Sequence, residues 1–116
     1  MFAGSMRRRR CVIPASGFYE WDAFKARFRF TAEDGGLLLL AGCFREERGQ
    51  NRYTILTTEA NESMRPVHDR MPVLIGQSEI RQWILDDSSS TAFLERPQPQ
   101  LLREQDEGQI RLDLGF

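Results

Sequence analysis

The sequence predicts an α+β fold, a mostly antiparallel curved β-sheet or partial barrel with one or two helices at its side. Three observations support this prediction. Residues 11–58 contain short apolar or alternating segments separated by turn residues, and the strongest helical periodicity follows at residues 78–87. The length of 116 residues is enough for one domain with a modest core but not for two. We therefore expect a single domain spanning residues 1–116.

Six segments have the composition of β-strands. Each is apolar, rich in β-branched or aromatic residues, or alternates between apolar and polar positions. The turn AEDGG predicts a hairpin between the second and third segments, and the third is apolar enough to be covered on both faces. The predicted strands are CVIPASGFYEWD (11–22, interrupted by Pro14 and Ser16-Gly17), ARFRFTA (26–32), LLLLAGCF (37–44), RYTILTT (52–58), PVLI (72–75) and the tail QIRLDLGF (109–116).

Helical signals are confined to the second half of the chain. ANESM at 60–64 predicts a short helical turn. SEIRQWILDD at 78–87 predicts the main helix, with Ser78 as its N-cap and three apolar residues at helical spacing. STAFLER at 90–96 predicts a second short helix that ends at the PQP of residues 97–99.

Charge and hydropathy exclude few classes of function. The net charge of −1 neither supports nor excludes a nucleic-acid partner, although MRRRR at residues 6–10 concentrates positive charge. The longest apolar run is far too short to span a bilayer, and the N-terminus lacks the apolar core of a secretory signal. We expect a cytoplasmic protein with no membrane partner.

Metal and cofactor chemistry is not indicated. Cys11 and Cys43 are far apart in sequence and form no CxxC motif, and the chain has a single histidine. A four-ligand zinc site would therefore need unusual carboxylate ligands. We expect two reduced, mostly buried thiols, no metal and no cofactor.

Glu20 is the first candidate for chemistry. In GFYEW, the two-residue period of a strand places Phe18 and Glu20 on one face and Tyr19 and Trp21 on the other. A carboxylate among aromatics is costly unless it is paired or its pKa is raised, and a raised pKa suits general acid–base catalysis. The alternative is a carboxylate at the rim of the sheet, facing water.

His68 is the second candidate, and Arg70 is the third. In RPVHDRMPVLI, two prolines restrict the loop around the histidine, while Met64, Val67 and Met71 can seat it on a core. A polar HDR triplet on a rigid loop between strand-like segments favours a functional site. Arg70 is placed to bind an anion such as a phosphate, or else to pair with Asp69 or Glu59.

Two long motifs together resemble a known family. RRCVIPASGFYEW and TILTTEANESMRPVHDRMPVLI are similar to the two central signatures of the SOS-response-associated peptidase (SRAP) family, whose members process abasic sites in DNA. The intervening hairpin and the following EIRQWI segment match in order. The resemblance covers Met1 to about Trp83 well and the C-terminal tail loosely.

The resemblance implies a single-stranded DNA-binding enzyme that captures abasic sites and has autopeptidase activity. Family members begin Met-Cys-Gly and lose the methionine. The exposed α-amine then attacks the ring-opened deoxyribose aldehyde, and the thiol closes a thiazolidine. Glu20 matches the family's acid–base glutamate, His68 matches the histidine that assists ring opening and proton transfer, and Arg70 matches a phosphate-contacting arginine.

The N-terminus departs from the family pattern. The chain begins Met1-Phe2-Ala3, and no cysteine follows the initiator. The resemblance therefore implies that the family's N-terminal portion is absent, with its cysteine nucleophile, an asparagine-bearing motif and several strands. Cys11 cannot replace that nucleophile, because its nitrogen is an internal amide and cannot form a Schiff base. We assign no nucleophile in this chain.

Three functional hypotheses remain open. The leading one is an SRAP domain, N-terminally truncated, that binds single-stranded DNA and carries acid–base residues for abasic-site processing. The second is a non-covalent single-stranded DNA-binding module, in which Arg70 and part of the run up to Arg10 contact phosphates and Trp21 or Phe18 stacks on a base. The third is an inactive remnant. Unpaired sheet edges also lead us to expect a homodimer, unless the tail covers them.

Overall fold

The structure is a computed structural model that describes residues 9–106, and over that range it confirms the α+β prediction. The strands there are β1 (Arg10–Ala15), β2 (Phe18–Trp21), β3 (Arg27–Ala32), β4 (Leu38–Glu47), β5 (Gln50–Ile55), β6 (Thr57–Glu59), β7 (Arg70–Pro72) and β8 (Leu101–Gln105). The helices are α1 (Ile80–Leu85) and α2 (Ser90–Glu95), preceded by 3₁₀ turns at Gln77–Glu79 and Asp87–Ser89. The predicted tail strand at 109–116 lies outside the described residues.

The strands pair antiparallel in three sheets. The first has the order β1-β4-β5, the second has the order β2-β3-β8, and β6 and β7 form a two-stranded ribbon. A bridge between Leu40 of β4 and Leu74 joins the first sheet to the segment that follows the ribbon. Glu20 lies on β2 of the second sheet, whereas His68 lies in the loop just before β7, so the two candidate residues come from different elements of the fold.

Gly17 explains how the chain passes from β1 into β2. A Cβ atom at this position would lie 2.7 Å from the carbonyl oxygen of Phe30 and 3.0 Å from Cγ2 of Thr31. A contact of that length with a backbone atom cannot be relieved by a side-chain rotation, so β3 passes too close for any side chain at Gly17. This close approach sets the start of β2, and with it the position of Glu20.

The core consists of two clusters of buried apolar side chains. The first lies between β3, β4, β8 and the loop of residues 60–69 that carries His68, here called the histidine loop, and the second lies under α1 and α2. Members of the first are Phe30, Leu38, Leu40, Ala60, Met64, Val67, Met71, Leu74 and Leu101. Members of the second are Ala41, Val73, Ile75, Trp83 and Phe93. Strand β4 contributes to both clusters, as expected for a strand covered on both faces.

The main helix begins later than predicted, and Ser78 is not its N-cap. Ser78 lies inside the 3₁₀ turn, while the backbone N–H of Gly76 donates to Oε1 of Glu79 at 2.8 Å. The carboxylate of Glu79 therefore satisfies the amide of Gly76, the residue that precedes the turn. The second helix forms as predicted. No helix among residues 9–106 is long and apolar enough to cross a membrane.

Three strand boundaries differ from the sequence prediction. RYTILTT is divided at Leu56, whose N–H donates to the carbonyl of Ala41 while its own carbonyl accepts from Val73. The strand predicted at 72–75 is displaced, because Arg70–Pro72 pairs with Thr57–Glu59. Strand β8 was not predicted, since it shows no apolar alternation and buries only Leu101.

Candidate functional site

The loop that carries His68 is a series of hydrogen-bonded turns. The carbonyl of Asn61 accepts the amides of Met64 and Arg65, and the carbonyl of Met64 then accepts the amides of Val67 and His68. These turns confirm the helical turn predicted at ANESM, although they do not form a regular helix. Backbone hydrogen bonds within the loop therefore determine much of its shape.

Buried side chains hold this loop on the protein. Met64 and Met71 are each 1% exposed and Val67 is 8% exposed, and all three belong to the first core cluster. The amide of Ala60 also donates to the carbonyl of Asp69 at 2.9 Å, which closes the loop at its base. The predicted seating by Met64, Val67 and Met71 is confirmed, and it leaves the His68 ring at the surface.

The alternation of side chains along β2 determines which face of the strand the Glu20 side chain lies on. Tyr19 and Trp21 are exposed on one face, while Phe18 packs its ring on Phe30 with a centroid distance of 5.3 Å on the other. The Glu20 side chain lies on the same face as Phe18 but keeps 34% of its surface exposed. Partial exposure and a nearby imidazole, rather than deep burial, therefore accommodate this carboxylate.

The structure brings Glu20 and His68 together. Oε2 of Glu20 lies 3.9 Å from Nε2 of His68, and the two side chains are 34% and 42% exposed. This distance exceeds that of a direct hydrogen bond but is short enough for one small molecule to contact both groups. Two titratable groups thus face the same accessible region, which is an arrangement that can exchange protons with a small bound molecule.

A backbone hydrogen bond fixes the tautomer of the His68 ring. The N–H of Arg70 donates to Nδ1 of His68 at 3.2 Å, so the neutral ring must carry its proton on Nε2. Nε2 is also the ring nitrogen that lies 3.9 Å from Oε2 of Glu20. Asp69 is also near Nδ1, at 3.5 Å, but its side chain is 91% exposed to water. The neutral imidazole is consequently a donor on the side where Glu20 lies.

Arg70 is held by β6 rather than by a carboxylate. Its Nη2 atom donates to the carbonyl oxygen of Thr57 at 2.9 Å and lies 3.3 Å from the Thr57 hydroxyl. Neither Asp69 nor Glu59 pairs with this guanidinium among the described residues, although Glu59 lies opposite Arg70 in the ribbon. The guanidinium is exposed and therefore remains available to an anion from solvent. Thr57 was not singled out by the sequence, because only the ribbon register places it there.

Arg10 does not lie where a phosphate could reach it, which corrects the prediction for this residue. Its side chain is 0% exposed, Nη2 donates to Asp87 at 2.8 Å, and Nε donates to the carbonyl of Trp83. The guanidinium also lies over the Trp83 ring, 5.5 Å from its centroid. Strand alternation turns Arg10 inward opposite Cys43, where it joins β1 to α1.

The two predicted stacking residues have different surroundings. Trp21 is 51% exposed, but it lies on the opposite face of β2 from Glu20. Phe18 shares the face of Glu20, and its ring is already stacked on Phe30. Of the two, Trp21 is the one whose ring surface is accessible.

The cysteines have the properties of structural thiols. Burial raises the pKa of Cys11, with a further contribution from Cys43, and burial also raises the pKa of Cys43. Cys11 pairs with Gly42 and Cys43 pairs with Arg10, so the two thiols project from opposite faces of the β1–β4 pair. A thiol with a raised pKa is a poor nucleophile. Among residues 9–106, no group of three potential metal ligands is found.

A family model described as SOS response associated peptidase (SRAP) matches residues 1–111. The chain belongs to the SRAP family. The match includes both strands and loops that position Glu20, His68 and Arg70, and the α+β fold agrees with it.

Relatives of this SRAP chain include proteins named for abasic-site processing. It is 32% identical over 96 residues to the abasic site processing protein YoaM of Bacillus subtilis, covering 75% of this chain and 42% of YoaM. It is 28% identical over 109 residues to the abasic site processing protein HMCES of Xenopus tropicalis, covering 71% of this chain and 32% of that protein. The chain thus spans less than half the length of these relatives.

Solved structures show the same SRAP-like fold. A protein from Bordetella bronchiseptica superimposes with a TM-score of 0.79 at 27% identity, covering 90% of this chain and 58% of that one. A protein from Bacteroides thetaiotaomicron superimposes with a TM-score of 0.76 at 19% identity, covering 94% of this chain and 54% of that one. The second likeness concerns the fold alone.

Proposed function

We propose that this SRAP chain binds single-stranded DNA at abasic sites and supplies the acid–base groups that process them. The observation that carries the proposal is the placement of the Glu20 carboxylate beside Nε2–H of His68, with Arg70 next to the same ring. The names of the relatives YoaM and HMCES support a role in abasic-site processing.

The chemistry suits a carboxylate and an imidazole. An abasic deoxyribose exists mainly as a closed hemiacetal, and opening it requires loss of the hydroxyl proton and delivery of a proton to the ring oxygen. In our proposal, the Glu20 carboxylate accepts the hydroxyl proton as Nε2–H of His68 donates its proton to the ring oxygen, and the proton held by Glu20 passes to Nε2, so both side chains regain their starting forms. The product is an aldehyde that a nucleophile can attack.

The covalent step needs a 1,2-aminothiol. The amine condenses with the aldehyde and releases water, and the thiol then adds to the resulting C=N bond and closes a thiazolidine. Among residues 9–106 no group can do this, because Cys11 and Cys43 both carry amide nitrogens. We therefore assign to the described part of the chain the proton transfers and the DNA contacts, without the nucleophile.

DNA binding in this proposal depends on one cation and one aromatic. The exposed guanidinium of Arg70 contacts a phosphate of the abasic nucleotide, and the exposed ring of Trp21 stacks on a neighbouring base. Stacking on a protein ring requires a base that is not enclosed in a duplex, so the preferred substrate is single-stranded.

A reaction with an external aminothiol tests the proposal. Free cysteine is mixed with single-stranded DNA containing one abasic site, and thiazolidine formation is followed by mass spectrometry with and without the protein. Acceleration by the protein is expected, together with its loss in Glu20→Gln and His68→Gln. The Glu46→Gln variant is the control, because it makes the same change at an exposed position of β4. An equal rate with and without protein would refute the acid–base assignment.

The second candidate is a non-covalent single-stranded DNA-binding module. The exposed Trp21 and Arg70 favour it, because these two residues can hold DNA without any proton transfer. In that case the protein binds single strands in a salt-dependent way, and the Glu20→Gln variant binds as well as the wild type. Fluorescence polarisation with intact and abasic oligonucleotides separates the two candidates.

A further inference from the structure

The Asn61 side chain uses all of its hydrogen-bonding capacity. Oδ1 accepts the backbone N–H of Ser63 at 3.0 Å and also accepts the Ser63 hydroxyl proton. Nδ2 donates to the carbonyl oxygens of Gln98 at 3.1 Å and Pro99 at 2.9 Å. Each lone-pair side of the oxygen meets a donor and each N–H meets an acceptor, so the amide orientation is fully determined.

The same residue begins the backbone path to His68. The Asn61 carbonyl accepts the amides of Met64 and Arg65, and the Met64 carbonyl accepts the amide of His68 at 3.0 Å. A rotation of Asn61 would therefore shift two consecutive turns. The His68 ring, which is placed by this backbone and by the Arg70 amide, would move relative to Glu20.

The partner of this loop is the segment that leads into β8. The hydroxyl of Ser63 accepts the N–H of Leu101 at 3.0 Å, and the carbonyl of Ser63 accepts from Nη1 of Arg103 at 3.0 Å. Gln98 is 8% exposed, and its Oε1 accepts the N–H of Leu74 at 2.8 Å. The loop is thus tied to a segment far away in sequence that is itself anchored in the core.

We propose that Asn61 is a positioning residue: it locks the His68 loop to residues 98–101 and so sets the approach of His68 to Glu20. This inference rests on the proposed function for its catalytic consequence, but the position of the ring can be measured separately. Asn61 acts through the loop, and its own side chain is fully occupied by protein partners.

The Asn61→Asp variant is the sharpest perturbation. The change preserves the shape of the side chain but replaces both N–H donors with an oxygen that faces two carbonyl oxygens. Two repulsive contacts then take the place of two hydrogen bonds. The Asn51→Asp variant is the matched control, because it makes the same charge change at an exposed position of β5.

Nuclear magnetic resonance gives the readout, because His68 is the only histidine in the chain and its Hε1 and Hδ2 signals are unambiguous. We expect Asn61→Asp to displace both signals and to lower the rate of the aminothiol reaction on the order of 100-fold, the cost of a misplacement of about 1 Å. Asn51→Asp should leave the signals and the rate unchanged. Unchanged His68 signals in folded Asn61→Asp would overturn the proposal.

A second pair of variants keeps the test decisive if Asn61→Asp does not fold. Ser63→Ala removes the hydroxyl that joins Asn61 to Leu101, whereas Ser63→Thr retains it. We expect a displacement of the His68 signals in Ser63→Ala and wild-type signals in Ser63→Thr. Phe93→Leu, in the second core cluster, controls for general loss of stability and should leave the signals in place.

The two proposals fail in different ways. A wild-type protein that does not accelerate the aminothiol reaction refutes the proposed function, whatever the spectra show. Identical His68 signals in folded Ser63→Ala and Ser63→Thr refute the positioning role, even if the wild type is active.

Discussion

Nδ1 of His68 accepts the backbone N–H of Arg70 at 3.2 Å, so the main chain of Arg70 determines which nitrogen of the neutral imidazole carries the proton. Because this is a backbone contact, substitution of the Arg70 side chain leaves the donor in place. The tautomer and the proposed phosphate contact can therefore be separated by mutation.

Glu20 and His68 should behave as one unit. We expect Glu20→Gln and His68→Gln each to lower the rate of the aminothiol reaction by about 100-fold or more, because each removes one of two linked proton transfers. The double variant should be little worse than the poorer single variant. Rate constants for the wild type, the two single variants and the double variant complete the double-mutant cycle. Losses that multiply independently would show that the two side chains act separately.

Arg70 should contribute one phosphate contact. Arg70→Ala is expected to weaken binding to single-stranded DNA and to reduce the slope of log K against log salt by about 0.7, the value for one contact on a single strand. The comparison is Arg52→Ala, which removes a 68% exposed arginine that lies beside Glu47. Titrations at several salt concentrations measure the slope, and equal slopes for wild type and Arg70→Ala would exclude the contact.

The ion pair between Glu79 and Arg96 should make stability depend on pH. Hydrogen bonds from Arg96 hold the pKa of Glu79 at about 2, below its usual value of 4.5, and the Gly76 amide adds to this effect. Since the folded-state pKa is the lower one, the stabilisation is present above pH 4.5 and is lost as the pH falls toward 2.

We therefore expect Glu79→Gln to reduce the free energy of unfolding by about 1 kcal/mol at neutral pH, a modest value because both side chains are partly exposed. The difference in unfolding free energy between the variant and the wild type should shrink as the pH falls from 4.5 toward 2. Urea unfolding at a series of pH values measures it, and a constant difference down to pH 2 would contradict the assignment.

A polypeptide with these 116 residues should form no heat-stable adduct with abasic single-stranded DNA. A thiazolidine needs an amine and a thiol on adjacent carbons, and Met1-Phe2-Ala3 offers no such group at the amino terminus. A short peptide with an N-terminal cysteine, incubated with the same DNA, is the positive control. A heat-resistant band on a denaturing gel with the protein alone would disprove this prediction.

The outer strand of the first sheet should mediate self-association. β5 is an edge strand of the described sheet, all six of its residues are exposed, and Tyr53 and Ile55 are 59% and 41% exposed. We expect a dimer formed through this edge and its disruption by Tyr53→Lys, since a lysine on an edge strand opposes pairing. Leu85→Lys on α1 is the control. Light scattering that gives a monomer mass into the high micromolar range would exclude the dimer.

Local sequence patterns predicted the parts of this fold that depend on neighbouring residues. The alternation in GFYEW placed Glu20 and Trp21 on opposite faces, and the apolar residues of the histidine loop identified how it is seated. Features set by distant partners were not accessible. Arg10 is of a residue type that usually lies at the surface, but here it is buried and contacts Trp83 and Asp87. Strand β8 pairs with β3, a partner about seventy residues earlier in the chain that its own sequence does not indicate.

The same limit applied to the candidate site. The order of residues in the motif indicated His68 and Arg70, but the partner of Arg70 depends on the ribbon register that brings Thr57 to it. Asn61 belongs to a residue type that commonly forms turns, which signals its bonds to Ser63. Its bonds to Gln98 and Pro99 require knowledge of where a segment much later in the chain returns.

Glu20 lies on a strand of one sheet and His68 lies in a separate loop, so the distance between them is not set by the local chain. The spacing is inherited from the contact of β2 and β3 with the histidine loop across Phe30, Met64 and Met71. In the proposed function, conservative substitutions among these three side chains alter the reactivity of the pair well before they cause unfolding. Sequence drift in the interior then tunes the proposed chemistry, while Glu20 and His68 stay the same.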